Sequence, residues 1–249
     1  MALNTKQIMT ALAIATAGLT ATAGGAAATD NPKDLSPANQ ALFTTDHLAS
    51  IKEPAVLVYD FQRTGTYEPS FTDTVEAEIT GLEPDGGKDM KFHFLSGANH
   101  VEFRDFYDFV GNPIFMLFLE RDVREMGRLT HGHQLYYRTR IRNALAGSAT
   151  VTPITFQFDG KKVSGTQISV MPYADDPKNV DYPRFAKKKY TFILSKEVPG
   201  GFYKIDTYTP DPLSDKPLVA ETLTFHDMHA PEEKHAEAGK RESVADTEK

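Results

Sequence analysis

Several groups of residues have types and spacings that chemistry could use. Thr130-His131-Gly132-His133 sets two imidazoles at i and i+2, which extended backbone turns to one side as a pair of metal ligands would need. No third ligand follows at a readable spacing, and the plainer alternative is a polar loop between helices. His226, His229 and His235 form a second set, either a metal-collecting tract or solvated tail residues. Glu102, Arg104, Asp105 and Asp108 lie in an acidic loop, where paired carboxylates could act as general acid and base. The same loop holds Phe103, Phe106, Tyr107 and Phe109, aromatics that either wall a pocket or anchor the loop on the core. Arg138, Arg140 and Arg142 have no acid nearby in sequence and suit a phosphate or carboxylate, or form a solvated helix face.

Other chemistry is excluded. The chain has no cysteine, so disulfides, thiolate metal sites, Cys nucleophiles and a lipidated N-terminal Cys are ruled out. It contains no G-x-S-x-G, H-E-x-x-H, P-loop or G-x-G-x-x-G pattern. The sequence therefore assigns no metal, no cofactor and no catalytic residue. The net charge is −7, from 27 basic and 34 acidic residues, which argues against nucleic acid as a partner.

The elements that must position these residues begin after a leader. Lys6 gives a positive start, residues 8–19 an apolar stretch, and Ala26-Ala27-Ala28 a small-residue cleavage site, so residues 1–28 read as a signal peptide. Its removal deletes one Lys and no acid, leaving 26 − 34 = −8. Downstream of the leader no apolar run approaches the ~18 residues of a spanning helix. The expectation is a periplasmic protein that is not a lipoprotein and has no integral membrane segment.

Residues 111–145 carry the clearest helical pattern. Asn112 is an N-cap and Pro113 a first helical residue. Phe115, Leu119, Val123 and Met126 share one face. Glu120–Arg124 and Glu125–Arg128 stand at pairing distances of i+4 and i+3. Residues 130–133 break the helix, and Tyr137, Ile141 and Leu145 align on a second one, giving a helical hairpin over 112–146. Ser36-Pro37 opens a short helix that runs to about residue 50. Elsewhere the period is two: Leu57, Tyr59 and Phe61; Val75, Ala77 and Ile79; Phe92 and Phe94; Ile154, Phe156 and Phe158; Tyr190, Phe192 and Leu194. Asp159-Gly160 is a hairpin signal, and residues 218–225 form a closing strand.

The fold class is α+β, mainly β. A curved antiparallel sheet, a half-barrel of about eight strands, is covered by the central helical hairpin and the short N-terminal helix. Residues 29–226 form one domain. Residues 227–249, polar and charged, read as a disordered tail.

The order of leader, helix, first strand with Tyr59 and Phe61, hairpins and closing strand over residues 37–225 resembles the periplasmic lipoprotein carriers of the Lol type. The stretches GNPIFMLFLERDVREM and YYRTRIRNAL are similar to exported proteobacterial proteins of unknown function. The first resemblance implies a half-barrel with helices capping its concave face, and a lipid or lipidated protein as partner. The expected function is noncatalytic binding of an apolar or amphipathic ligand. Phe92, Phe94, Phe115 and Leu119 would line the site, with Phe156 and Phe158 also opposite the helix. Phe103, Phe106, Tyr107 and Phe109 would form its rim, and Arg138 or Arg142 would meet a polar head group. The alternatives are a structural or interaction protein with a packed interior, or a hydrolase with an unrecognised site.

Overall fold

The computed structural model describes residues 35–231. The leader and most of the polar C-terminal stretch lie outside the described residues. Among the described residues nine strands form one antiparallel, curved and unclosed sheet. They are β1 (Ala55–Thr64), β2 (Phe71–Leu82), β3 (Lys88–Phe94), β4 (Phe106–Phe109), β5 (Thr150–Phe158), β6 (Lys161–Val170), β7 (Lys189–Leu194), β8 (Phe202–Pro210) and β9 (Pro217–His229). Their order is β4-β3-β2-β1-β9-β8-β7-β6-β5, so the last strand of the chain pairs with the first at the centre. Among the described residues three α-helices accompany it: a single turn α1 (Pro37–Asn39), α2 (Ile114–Thr130) and α3 (Gln134–Gly147).

Alternation sets which face is inside. Leu57, Tyr59, Phe61 and Arg63 of β1 are buried, while Asp60 and Gln62 between them are exposed. Paired residues share a face, so Phe61↔Leu223 and Arg63↔Glu221 carry that pattern into β9, and Ile205↔Leu223 carries it into β8. The α2 helix covers this inner face. Its predicted stripe of Phe115, Leu119, Val123 and Met126 is buried throughout. The helix starts at Ile114 with Pro113 in the N-cap place, one residue later than read, and Asn112 Oδ1 accepts the Ile114 N–H at 3.1 Å while its Nδ2 donates to the Tyr59 hydroxyl and to the Gly200 carbonyl. His131, at φ 57°, ends it in the left-handed conformation.

Three other boundaries differ from those read in the sequence. The N-terminal helix is a single turn that widens into a π-helical turn, Gln40–Thr44, and stops there. The acidic-aromatic loop contributes a ninth strand, β4, too short for alternation to show. The closing strand continues through Asp227, Met228 and His229, which pair with Val58, Leu57 and Val56. His226 and His229 therefore belong to the sheet, and His226 Nδ1 lies 2.9 Å from Asp60. Polar composition suggested a tail here, but a central partner strand supplies the backbone hydrogen bonds.

The sheet has two open edges, β4 and β5. The β5 edge is nine residues, Thr150–Phe158, without a charged side chain. Phe158 pairs with Lys161 around the two-residue Asp159-Gly160 turn, so alternate residues back from Phe158 bond to β6. Gln157, Thr155, Pro153 and Val151 then point their backbone groups outward. Pro153 presents no N–H there, a guard against strand addition. Pro153→Thr restores the donor. Its expected result is a weight-average mass that climbs with concentration in light scattering while the parent's does not. An unchanged mass would show that the edge is protected by something else.

Candidate functional site

The interface between α2 and the sheet has two chemically distinct halves. The N-terminal half is aromatic. Phe115 meets Phe202 at 5.3 Å, Phe192 at 6.4 Å and the His47 ring at 5.2 Å, and Tyr59 lies tilted against Phe202 at 5.2 Å. Phe115, Phe118, Phe192 and Phe202 are fully buried.

The C-terminal half is ionic. Glu221 of β9 takes the Arg63 guanidinium on one carboxylate oxygen at 2.7 Å and Arg121 of α2 on the other at 2.8 Å. Arg63 also reaches Glu125 of α2 at 2.7 Å. The rim continues through Glu125–Arg128 at 2.9 Å and Arg128–Glu68 at 3.2 Å. Arg121 lies over the Phe61 ring at 4.8 Å, which favours a planar cation at this boundary. Beside this group Asp122, with no exposed surface, accepts from the Lys188 ammonium and from the Tyr190 hydroxyl, the latter at 2.6 Å. Burial raises the Glu221 carboxyl, but Arg121 and Arg63 outweigh it and hold the group below its ordinary value. At Glu125 burial opposes ionisation too, and the hydrogen bonds from Arg128 and Arg63 bring it down to about 2.

The residues singled out from sequence fall into three places. Phe92, Phe94, Phe103, Phe106 and Phe109 form an aromatic cluster at the β3–β4 edge, with Phe92–Phe106 at 5.7 Å, Phe94–Phe103 at 5.3 Å and Phe106–Phe109 at 5.2 Å. Tyr107 points outward, its hydroxyl donating to Asp105. Phe115 and Leu119 lie under α2. Arg138 and Arg142 are on the hairpin's second helix. Arg138 is held bidentately by Glu120 at 2.8–3.0 Å, and Arg142 is exposed. Arg140, the third of that series, lies 3.2 Å from Asp176.

Phe156 and Phe158 do not face α2. The pairings Val151↔Ile168 and Ile168↔Phe192 place the odd-numbered residues of β5 on the face of Phe192, and Phe156 instead stacks on Tyr203 at 4.5 Å while Phe158 meets Tyr203 and Phe225. Gly165 lets both pack close, since a Cβ there would come within 2.7 Å of the Leu194 carbonyl oxygen and of Phe156.

The buried ionic half escaped the sequence reading, although it left a signal. Arg63 and Glu221 occupy positions in phase with Tyr59–Phe61 and with Leu223. A charge on the inward register of a strand needs a buried partner.

Two cavities lie at the margins of the helical cover. One of 730 Å³ sits between the N-terminal turn and the ends of β6 and β7, where His47, Ser164, Ser195 and Glu197 line it. His47 Nε2 is bonded to the Ala41 carbonyl at 2.8 Å, and the Ser195 hydroxyl donates to the Ser164 carbonyl at 2.7 Å. Serine and histidine are thus each turned to backbone, an arrangement that does not activate a nucleophile. A second, of 620 Å³, adjoins the α2–α3 turn and includes His131 and His133. There the His133 Nδ1 accepts the Leu135 N–H at 3.2 Å as the N-cap of α3. Among the described residues no group of three or more His, Asp or Glu side chains is placed to hold a metal ion.

No known protein family and no curated protein sequence matches the chain. Solved structures similar to it include the lipoprotein LppX of Mycobacterium tuberculosis, at 12% identity and a TM-score of 0.32, covering 75% of this chain and 92% of that one. Another is a LolA superfamily protein from Nitrosomonas europaea, at 8% identity and a TM-score of 0.22, covering 78% and 94%. Identities and scores are low, and no site residue is carried over from either chain. Among the described residues no helix is long and apolar enough to cross a membrane.

Proposed function

We propose that the protein binds an apolar or amphipathic ligand (a lipid, an acyl chain or a lipidated partner) without catalysis, in the periplasm after loss of its leader. The binding space is the aromatic inner face of the sheet, reached when α2 lifts. The observation that carries this reading is the split character of the α2 interface. A cover meant only to stay shut would be apolar along its length. Here one half is held by Arg63, Arg121, Glu221, Asp122 and Lys188, all nearly or fully buried. Desolvating such groups roughly cancels their attraction, so letting water back to them costs far less than exposing the same area of hydrocarbon. The ionic end can therefore open first, and an entering acyl chain replaces the contacts that Phe115 and Phe118 give up.

The test is uptake of a fluorescent fatty acid by the full chain. Wild type is expected to take up the probe. A variant with Arg63→Met, Arg121→Met and Glu221→Leu fastens the same helix with apolar contacts and is expected to take up little, with a thermal midpoint equal to or above that of wild type. Wild type that takes up no probe overturns the reading.

Complete burial of Phe115, Phe118, Phe192 and Phe202 favours a second reading, a packed structural or interaction protein. Under that reading neither variant nor wild type binds lipid.

A further inference from the structure

Two buried hydroxyls on β8 have nothing to bond to. Thr207 pairs across the sheet with Tyr190 of β7 and Glu221 of β9, so its side chain lies on the face that α2 covers, among the residues of the ionic half. Thr209, two residues on, lies on the same face and pairs with Val219. Thr207 is 2% exposed and Thr209 0%, and neither Oγ1 has a hydrogen-bond partner. A hydroxyl taken out of water without a partner is a net cost to folding. Valine has the same branched shape and would fill either place without that cost. Two orphaned hydroxyls on one inward register therefore mark a place where a ligand atom is to be hydrogen-bonded.

The charges beside them balance. Arg63, Arg121 and Lys188 meet Glu221, Glu125 and Asp122, three cations against three carboxylates. An entering carboxylate or phosphate would bring an anion with no cation to spare, a heavy cost in a site closed to water. Along β8 the inward side chains read Phe202, Ile205, Thr207, Thr209, apolar at one end and hydroxyl at the other. That is the order of an acyl chain and its head.

We infer, on the lipid-binding reading above, that the ligand is an acyl chain with an uncharged oxygen-bearing head group, an ester or an alcohol, held by Thr207 and Thr209. An ester carbonyl accepts from a threonine hydroxyl, and an alcohol both donates and accepts. Neither disturbs the balance of charge, and either satisfies the two hydroxyls.

The experiment is displacement of a fluorescent fatty acid from the full chain by monooleoylglycerol, oleate and oleoyl lysophosphatidate, which share one acyl chain and differ in the head. Wild type is expected to bind the ester about tenfold or more tighter than either anion, a ranking read without any variant. The double variant Thr207→Val, Thr209→Val is expected to erase that advantage, the worth of one or two hydrogen bonds. Its thermal midpoint should equal or exceed that of wild type, since neither hydroxyl has a partner to lose. Equal binding of the three ligands by wild type, tighter binding of an anion, or an ester preference that survives in the double variant overturns the head-group assignment and leaves lipid uptake standing. A lowered midpoint in the double variant also overturns it, because the hydroxyls would then be bonded within the fold. Wild type that takes up no fluorescent probe removes the lipid-binding reading itself, and the head group falls with it.

Discussion

Glu221→Ala is expected to destabilise the protein by about 3–5 kcal/mol, the usual result of removing one partner from a buried ionic group. The carboxylate holds Arg63 and Arg121 at once, and both guanidiniums are nearly buried between α2 and the sheet. In a domain of this size that loss lowers the thermal midpoint by roughly 6–20 °C. Removing the whole group behaves differently. Replacing all three residues with apolar ones of similar volume is expected to leave stability unchanged or to raise it by about 1–4 kcal/mol. Calorimetry on the single and triple variants separates the cases. If Glu221→Ala moves the midpoint by no more than a surface substitution does, the cluster is wet, and the picture of a desolvated ionic clasp is wrong.

The contrast with the fold's apolar half shows what a sequence can carry. Period-two alternation in residues 57–61 and 75–79 follows directly from one face being buried, so the strands and the hairpin signal at Asp159-Gly160 were legible. The stripe of Phe115, Leu119, Val123 and Met126 was legible for the same reason at a helical period. So were the local pairs Glu120–Arg124, at 3.7 Å, and Glu125–Arg128, because i+3 and i+4 spacing fixes proximity without knowledge of the fold.

Long-range partners were not legible. Arg138 appeared free because its acid, Glu120, lies across the hairpin turn, and only the folded hairpin brings the two together. Arg63 and Glu221 are separated by 158 positions, and their contact depends on β9 returning to pair with β1 at the centre of the sheet. No periodicity encodes that crossing. Phe156 and Phe158 alternate correctly, yet Val151 pairs with Ile168 and Ile168 with Phe192, so the odd-numbered positions of β5 share the α2 face and the right pattern gave the wrong neighbours. The β4 strand, at four residues, is shorter than the pattern needed to recognise it.

The same buried charges make stability sensitive to acid. Glu125, Glu221 and Asp176 all have carboxyls held below their ordinary values: burial opposes each, but arginine contacts prevail at the two glutamates, and hydrogen bonds from Tyr136 and Tyr182 prevail at Asp176. Their stabilisation is present above the unfolded-chain pKa and disappears as pH falls through the folded one. For Glu125 the window runs from 4.5 down to about 2. His47 adds a contribution in the same direction at higher pH. Burial lowers its pKa from 6.5, only partly offset by the carbonyls of Ala41 and Leu42, so below pH 6.5 the unfolded chain takes the proton more readily. Each such proton removes about 1.4 kcal/mol per pH unit within its window. The thermal midpoint is therefore expected to fall slowly as pH drops below 6.5, set by His47, and steeply between 4.5 and about 2, set by the carboxylates. Glu125→Gln should start from a lower midpoint at pH 7 and show a shallower acid limb, because one of the titrating groups is gone. An acid limb of unchanged slope in Glu125→Gln, measured by calorimetry across that range, would mean that the Arg63–Glu125–Arg128 contacts contribute nothing to the folded state.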